Sequence, residues 1–163
     1  MELREEHKRW IDNFLDTHHI NLKSSDFSRP WGGFYVIDES SLSNFVEVFF
    51  PELLGKMRPN QPWSPKVLFV APEQRLSWQY HLRRSEVWRV IKGKVNVVTS
   101  SNDVEGQVRE LSENDKIELF QGERHRLIGT DEWGIVAEIW QHSNPDNPSD
   151  ENDIIRVRDD FGR

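Results

Sequence analysis

The sequence predicts an all-β domain, an antiparallel barrel or sandwich, preceded by one short α-helix. Three observations carry this expectation. From about residue 29 onward the chain breaks into short apolar or alternating runs. Turn-forming clusters separate those runs, among them Asp38-Glu39-Ser40-Ser41 and Ser100-Ser101-Asn102-Asp103. Ahead of them, residues 2–16 repeat apolar side chains at helical spacing.

The helix comes first: Leu3, Trp10, Ile11, Phe14 and Leu15 form one face, with Glu, Arg and Lys between them. It is expected to pack on the main body. His18 and His19 follow and read as a solvated helix end. Strands are then expected at 33–37, 45–50, 66–70, 77–81, 87–91, 94–99, 108–111, 116–119, 125–128 and 134–141. Pro51, Pro59, Pro62 and Pro65 keep 51–65 from being a central strand, so this stretch reads as an excursion forming a rim or lid over the barrel. The chain thus divides into a helical appendage at 1–28 and a β-barrel domain at 29–163.

Composition narrows the function. With 28 acidic against 21 basic residues the net charge is −7, which excludes the basic footprint of general nucleic-acid binding. No apolar run approaches the roughly 20 residues that span a bilayer, and the N-terminus lacks a signal-peptide core. A cytoplasmic protein with neither membrane nor nucleic-acid partners is expected. The absence of cysteine removes disulfides, thiolate metal sites and cysteine nucleophiles.

The chemistry concentrates in Glu73 to Trp88. Strand alternation puts Arg75, Ser77, Gln79 and His81 on one side, so Gln79 and His81 project an amide oxygen and an imidazole into one space. Glu86 opens the next apolar run, expected to fold back as a hairpin. His125 follows the Gly122 turn on a separate strand. Gln79, His81, Glu86 and His125 together offer two nitrogens and two oxygens, a set suited to a divalent cation with positions left for substrate oxygens.

The spacing Gln79-x-His81-(x)4-Glu86-(x)6-Gly93, then Phe120-x-Gly122-(x)2-His125, resembles the two-part metal signature of the cupins. Gln replaces the usual first His, and Phe120 the usual Pro. The QxH(x)4E form resembles that of type II phosphomannose isomerases, as do Arg29-Pro30-Trp31-Gly32, His125-Arg126-Leu127 and the segment from Asp153 to Arg163. The sequence departs from that family at Leu82 and Arg83, where His is usual, at Glu73 in place of Gly, and at Gly129 in place of Asn. No Gly-rich nucleotide motif is present, so no guanylyltransferase domain is expected.

The resemblance implies a cupin double-stranded β-helix (a jelly-roll barrel) and a metal-dependent aldose–ketose isomerase of the mannose-6-phosphate/fructose-6-phosphate type. Its cofactor would be one divalent ion, zinc expected, with manganese, cobalt, nickel or iron as alternatives. A sugar-phosphate substrate and a homodimer are implied likewise. Arg126 matches the family's His-Arg pair and would stabilise an enediolate, with Glu138 as candidate base and Lys116 as a second. Guanidinium groups suit phosphate oxygens, which makes Arg75, Arg83 and Arg84 candidates, with Arg84 the one read more simply as solvated. Trp88 shares the Glu86 face and is expected to line the sugar site. Trp63 is the candidate rim contact, and Trp31 and Trp78 are assigned to the core. The alternative from another class is a cupin that binds a metal or sugar without turnover, or a sensor. An oxygenase is disfavoured by the amide in the ligand set.

Overall fold

Apolar runs too continuous for one buried face dictate the layering. Strand β3 (Ser64–Val70) sends Val67 and Phe69 into one apolar cluster and Leu68 and Val70 into another. Strand β10 (Gly134–His142) divides Ile135, Ala137 and Ile139 from Val136 in the same way. Both strands are covered on both faces, so neither shows the polar–apolar alternation of a half-exposed sheet. The structure, a computed structural model, describes residues 2–163, with side chains from Glu5 onward; the Leu3 side chain of the expected helix face lies outside the described residues.

Around these two strands are β1 (Leu22–Asp26), β2 (Gly32–Ile37), β4 (Trp78–Tyr80), β5 (Arg84–Lys92), β6 (Val95–Ser100), β7 (Arg109–Leu111), β8 (Lys116–Leu119), β9 (Arg124–Gly129) and β11 (Ile155–Arg158). They form two antiparallel sheets, ordered β1-β2-β3-β10-β5-β8 and β11-β4-β9-β6-β7. The expected all-β architecture, with one short helix ahead of it, is the fold of the chain. The inter-sheet core holds Trp31, Leu68, Trp88, Val97, Leu119 and Leu127. The outer face of the six-stranded sheet carries helix α1 (Glu2–Thr17), whose Ile11 and Leu15 are buried, and helix α2 (Leu42–Phe49).

Helix α2 corrects the strand expected at 45–50. An apolar run this short fits either period, and Phe45, Val46 and Phe49 bury one helical face against the six-stranded sheet. The Asp38 cluster read as a turn is the entry to that helix: its carboxylate accepts from Ser40 N and caps the 3-10 turn Glu39–Ser41. Two strands escaped the sequence reading, β1 (LKSSD) and β11 (IRVR). Both are mostly exposed edge strands, β1 without an apolar face and β11 with only Ile155 and Val157 on one. β1 belongs to the stretch assigned to the N-terminal appendage, yet it pairs with β2 in the main sheet. The 51–65 stretch is not a lid. Leu53 is buried in the cluster under the helices, Glu52 pairs with Lys116, and the chain enters β3 at Ser64.

Gly129 ends β9 where the 71–74 turn crosses it. Its N–H donates to Gln74 O at 2.7 Å, and a Cβ there would lie 2.1 Å from the Ala71 carbonyl oxygen. Gly129→Ala is expected to lower unfolding free energy by about 1–3 kcal/mol through backbone displacement, measured as a shift in the urea midpoint at unchanged slope.

Candidate metal centre

Strand register decides which side chains meet, because directly paired residues share a face. In one sheet β4 sets Gln79 opposite His125, and β11 sets Arg156 opposite Gln79. In the other, Glu86 faces Trp140, while Lys66, Glu138 and Trp88 form a row across β3, β10 and β5. His81 lies just beyond β4. The next strand, β5, belongs to the opposite sheet, so the expected hairpin is instead a crossing between sheets. That crossing brings Glu86 from one wall to the two histidines of the other.

His81, Glu86 and His125 converge with one ligand atom each, all within 4.8 Å of one another, and each residue is only 2% exposed. The histidine tautomers follow from their partners. His81 Nδ1 lies 2.6 Å from Asp153 O and His125 Nδ1 lies 3.1 Å from Glu123 O. A carbonyl only accepts, so each Nδ1 carries the proton and each Nε2 presents a lone pair. Those two Nε2 atoms face each other at 3.2 Å, with Glu86 Oε1 3.3 Å from the first and Oε2 3.7 Å from the second. Burial holds both imidazoles below their ordinary range, His81 at about 4, although Glu86 pulls the other way. Burial pushes Glu86 up, but the Arg84 guanidinium and then the histidines outweigh it and keep the carboxyl ionised. Two neutral imidazoles and a carboxylate, buried and aimed at one point, fit a divalent cation. Gln79 stands beside them with Nε2 3.4 Å from His81 Nε2, while its Oε1 accepts from Ser77 at 2.6 Å. It therefore meets the cluster with its nitrogen, not with the expected oxygen.

A cavity of about 480 Å³ opens beside this cluster, lined by Gln79, Glu86, Trp88, Glu138, Lys66 and Arg84 among others. Glu138 is buried, accepting from Trp140 Nε1 and Trp88 Nε1, each at 2.8 Å, and the same Trp88 N–H lies 3.1 Å from Glu86 Oε2. Burial first, then the charge of Glu86, raises the Glu138 carboxyl well above the carboxylate range, with Lys66 and Arg84 opposing. Trp88 is likewise buried and directed inward, as alternation implied.

The reading of Arg84 as solvated is corrected. Arg84 shares the inner face of β5 with Glu86 and is 6% exposed. It donates to Glu86 Oε1 at 2.8 Å, to Ser149 Oγ at 2.9 Å and to His81 Nε2 at 3.2 Å, and lies over the Trp140 ring at 3.4 Å. The sequence reading also missed Lys66, Trp140 and Asp153. Lys66 is 6% exposed, pairs with Glu151, and sits over the rings of Phe34 and Trp140; a lone lysine in the run PKVLFV was its signal. Asp153 holds His81 through its carbonyl and accepts with its carboxylate from the N–H groups of Leu82 and Arg83 and from Ser149 Oγ.

Other expected residues lie apart. Arg126 follows an inward His125, so alternation turns it to the opposite face. There it donates to Leu76 O, Glu105 Oε1 and Arg158 O, buried to 1% but outside the cavity. Lys116 pairs with Glu52 on the outer surface. Arg75 forks onto Asp160, and Arg83 is tied to Asn147, Pro148 and Asp150; neither lines the cavity. Trp63 borders a separate cavity of about 300 Å³ with His142 and Ser149.

This geometry accompanies a family relationship. Residues 55–159 match the model of the "Mannose-6-phosphate isomerase C-terminal" family. The chain is 24% identical over 149 residues to a mannose-1-phosphate guanylyltransferase of Salmonella montevideo, covering 91% of this chain and 26% of that protein. It is 30% identical over 132 residues to a mannose-1-phosphate guanylyltransferase of Sinorhizobium fredii, covering 81% of this chain and 20% of that one. The chain therefore spans roughly a fifth to a quarter of these relatives. Among solved structures, vicilin from Corylus avellana (hazelnut) matches with a TM-score of 0.57 at 15% identity, over 85% of this chain and 36% of that chain, a likeness of fold. No helix among the described residues is long and apolar enough to cross a membrane. With the family model covering most of its length and the His-Glu-His cluster formed within that span, the chain belongs to the mannose-6-phosphate isomerase C-terminal family of cupins.

Proposed function

We propose that this protein is a metal-dependent aldose–ketose isomerase acting on a sugar phosphate of the mannose-6-phosphate/fructose-6-phosphate type. The observation that carries this reading is the convergence of His81, Glu86 and His125 beside a cavity that also contains a buried carboxyl, Glu138, and two buried cations, Lys66 and Arg84. A divalent ion held by His81, Glu86 and His125, with zinc as the first candidate, would polarise the carbonyl of an open-chain sugar and fix its two neighbouring oxygens.

The side chains account for the remaining work. In its ionised form, a strong base because its pKa is raised, Glu138 takes the hydrogen from C2 of the aldose as a proton and returns it to C1, while a hydroxyl proton passes from O2 to O1, so the reaction balances without a co-reactant. The indole N–H groups of Trp88 and Trp140 aim that carboxyl. Arg84 and Lys66 stabilise the negative charge that develops on the two oxygens, the role that sequence had given to Arg126. Burial of these groups keeps water from competing for the charge.

One contact favours the second reading, a binding module without turnover. Arg84 donates to both Glu86 and His81 and so satisfies from within the chain acceptors that a metal would take.

A coupled assay separates the two. Isomerase activity predicts fructose-6-phosphate formation from mannose-6-phosphate that a chelator abolishes and added divalent ion restores; metal-loaded protein without turnover of any hexose or pentose phosphate overturns it. His81→Ala and His125→Ala are each expected to strip the metal, read by elemental analysis on protein purified without a metal column. Glu138→Gln is expected to keep the metal and lose about 10²–10⁴-fold in kcat. Arg126→Ala, by contrast, is expected to cost about 2–4 kcal/mol of stability by removing a buried, fully bonded cation, with kcat per folded molecule unchanged.

A further inference from the structure

Beyond Asp153, which holds His81, the C-terminal segment that resembles the family has no part in the chemistry above, yet it reaches the cavity. Strand β11 pairs with β4 so that Arg156 lies opposite Gln79, which in turn lies opposite His125. Arg156, Gln79 and His125 thus form one row across three strands. The backbones at its two ends are about 9–10 Å apart, two strand spacings. Arg156, Arg163 and Arg29 all line the cavity.

Their partners differ. Asp159 accepts from Arg163 through Nε at 2.8 Å and Nη2 at 3.1 Å, which fixes that guanidinium and neutralises it. Arg29 lies 3.1 Å from Asp26 through Nε and sits over the Phe34 ring. The Arg156 side chain makes no hydrogen bond or ion pair among the described residues, its backbone alone pairing with Gln79. Burial, and then the charge of Arg163, lower its pKa; Asp159 opposes and Arg29 adds to the lowering. With both flanking guanidiniums paired to carboxylates, the exposed Arg156 is the cation of the three whose donors stay open to a bound anion.

We infer that Arg156, flanked by Arg29 and the Asp159-anchored Arg163, is the subsite for the phosphate of the sugar phosphate. This assignment rests on the isomerase reading for the orientation of the substrate: the carbonyl end meets the His81–Glu86–His125 cluster and the chain runs along the row to β11. A guanidinium fork matches phosphate oxygens in pairs, and Arg156 has its donors available. It replaces Arg75 and Arg83, whose forks are filled by Asp160 and by the Asn147–Asp150 turn.

Titration calorimetry with mannose-6-phosphate, inorganic phosphate and unphosphorylated mannose tests the subsite. Arg156→Ala is expected to weaken mannose-6-phosphate binding about 10- to 100-fold, to abolish competition by inorganic phosphate, and to leave mannose binding and metal content as they were. Arg109→Ala, which removes an exposed arginine of β7, is the control expected to change nothing. Wild-type affinity for mannose-6-phosphate in Arg156→Ala, at an unchanged melting temperature, overturns the subsite. The two readings fail separately. Arg156-dependent phosphate binding without turnover upholds the subsite and removes the isomerase. Turnover whose KM does not respond to Arg156→Ala does the reverse.

Discussion

Two imidazole lone pairs that face each other over 3.2 Å are the constraint around which the rest of this protein is arranged. Each ring is held there by a backbone carbonyl on its far nitrogen, and neither has a hydrogen to offer the other. Such a pair is tolerable only where positive charge lies nearby, and the inner wall supplies it through Arg84. Glu86, ionised despite its burial, completes a pocket of acceptors in a region the fold has otherwise made apolar. The fit of this cluster to a cation follows from this electrostatic demand and not from the residue types alone.

The fold meets the demand by dividing labour between the two faces of one sheet. On the outer face, Val67, Phe69, Ile135 and Ile139 pack against the helices and anchor β3 and β10. On the inner face the same strands carry Lys66, Glu138 and Trp140, whose burial would be expensive in a less firmly held strand. The helices therefore serve the site without touching it. Trp140 shows the economy of this wall: its indole N–H holds Glu138, and its ring lies beneath both Lys66 and Arg84.

The barrel, the amphipathic helix and the convergence of His81, Glu86 and His125 were legible in the sequence, because alternation and spacing act locally and these residues obey both. Other features depended on what the sequence leaves implicit. Arg126 could not share a direction with His125 once both lay in one strand, and that argument was available from alternation alone. Arg84 lay two residues before Glu86 on the same face and was legible by the same rule. The helix at 42–49 was not, since a short run of Phe and Val satisfies either period until the neighbouring sheet selects one. Strand β1 carries no apolar signature, so only its pairing partner reveals it, whereas β11 alternates Ile155 and Val157 with Arg156 and Arg158 and was legible by that rule. The Gly129 departure has a steric cause, the Ala71 carbonyl, in a turn nearly sixty residues upstream.

The contact between His81 and Asp153 spans 72 positions of the chain. Closing so long a loop is slow relative to forming the local hairpins, so this contact belongs among the late events of folding. During synthesis, a ribosome that has delivered both histidines and Glu86 has still not delivered the carbonyl that fixes the first ring. Loading with an ion at that stage would meet an imidazole free to present either nitrogen. The first ring is thereby fixed only once Asp153 has joined the fold, well after the residues it orients have been made.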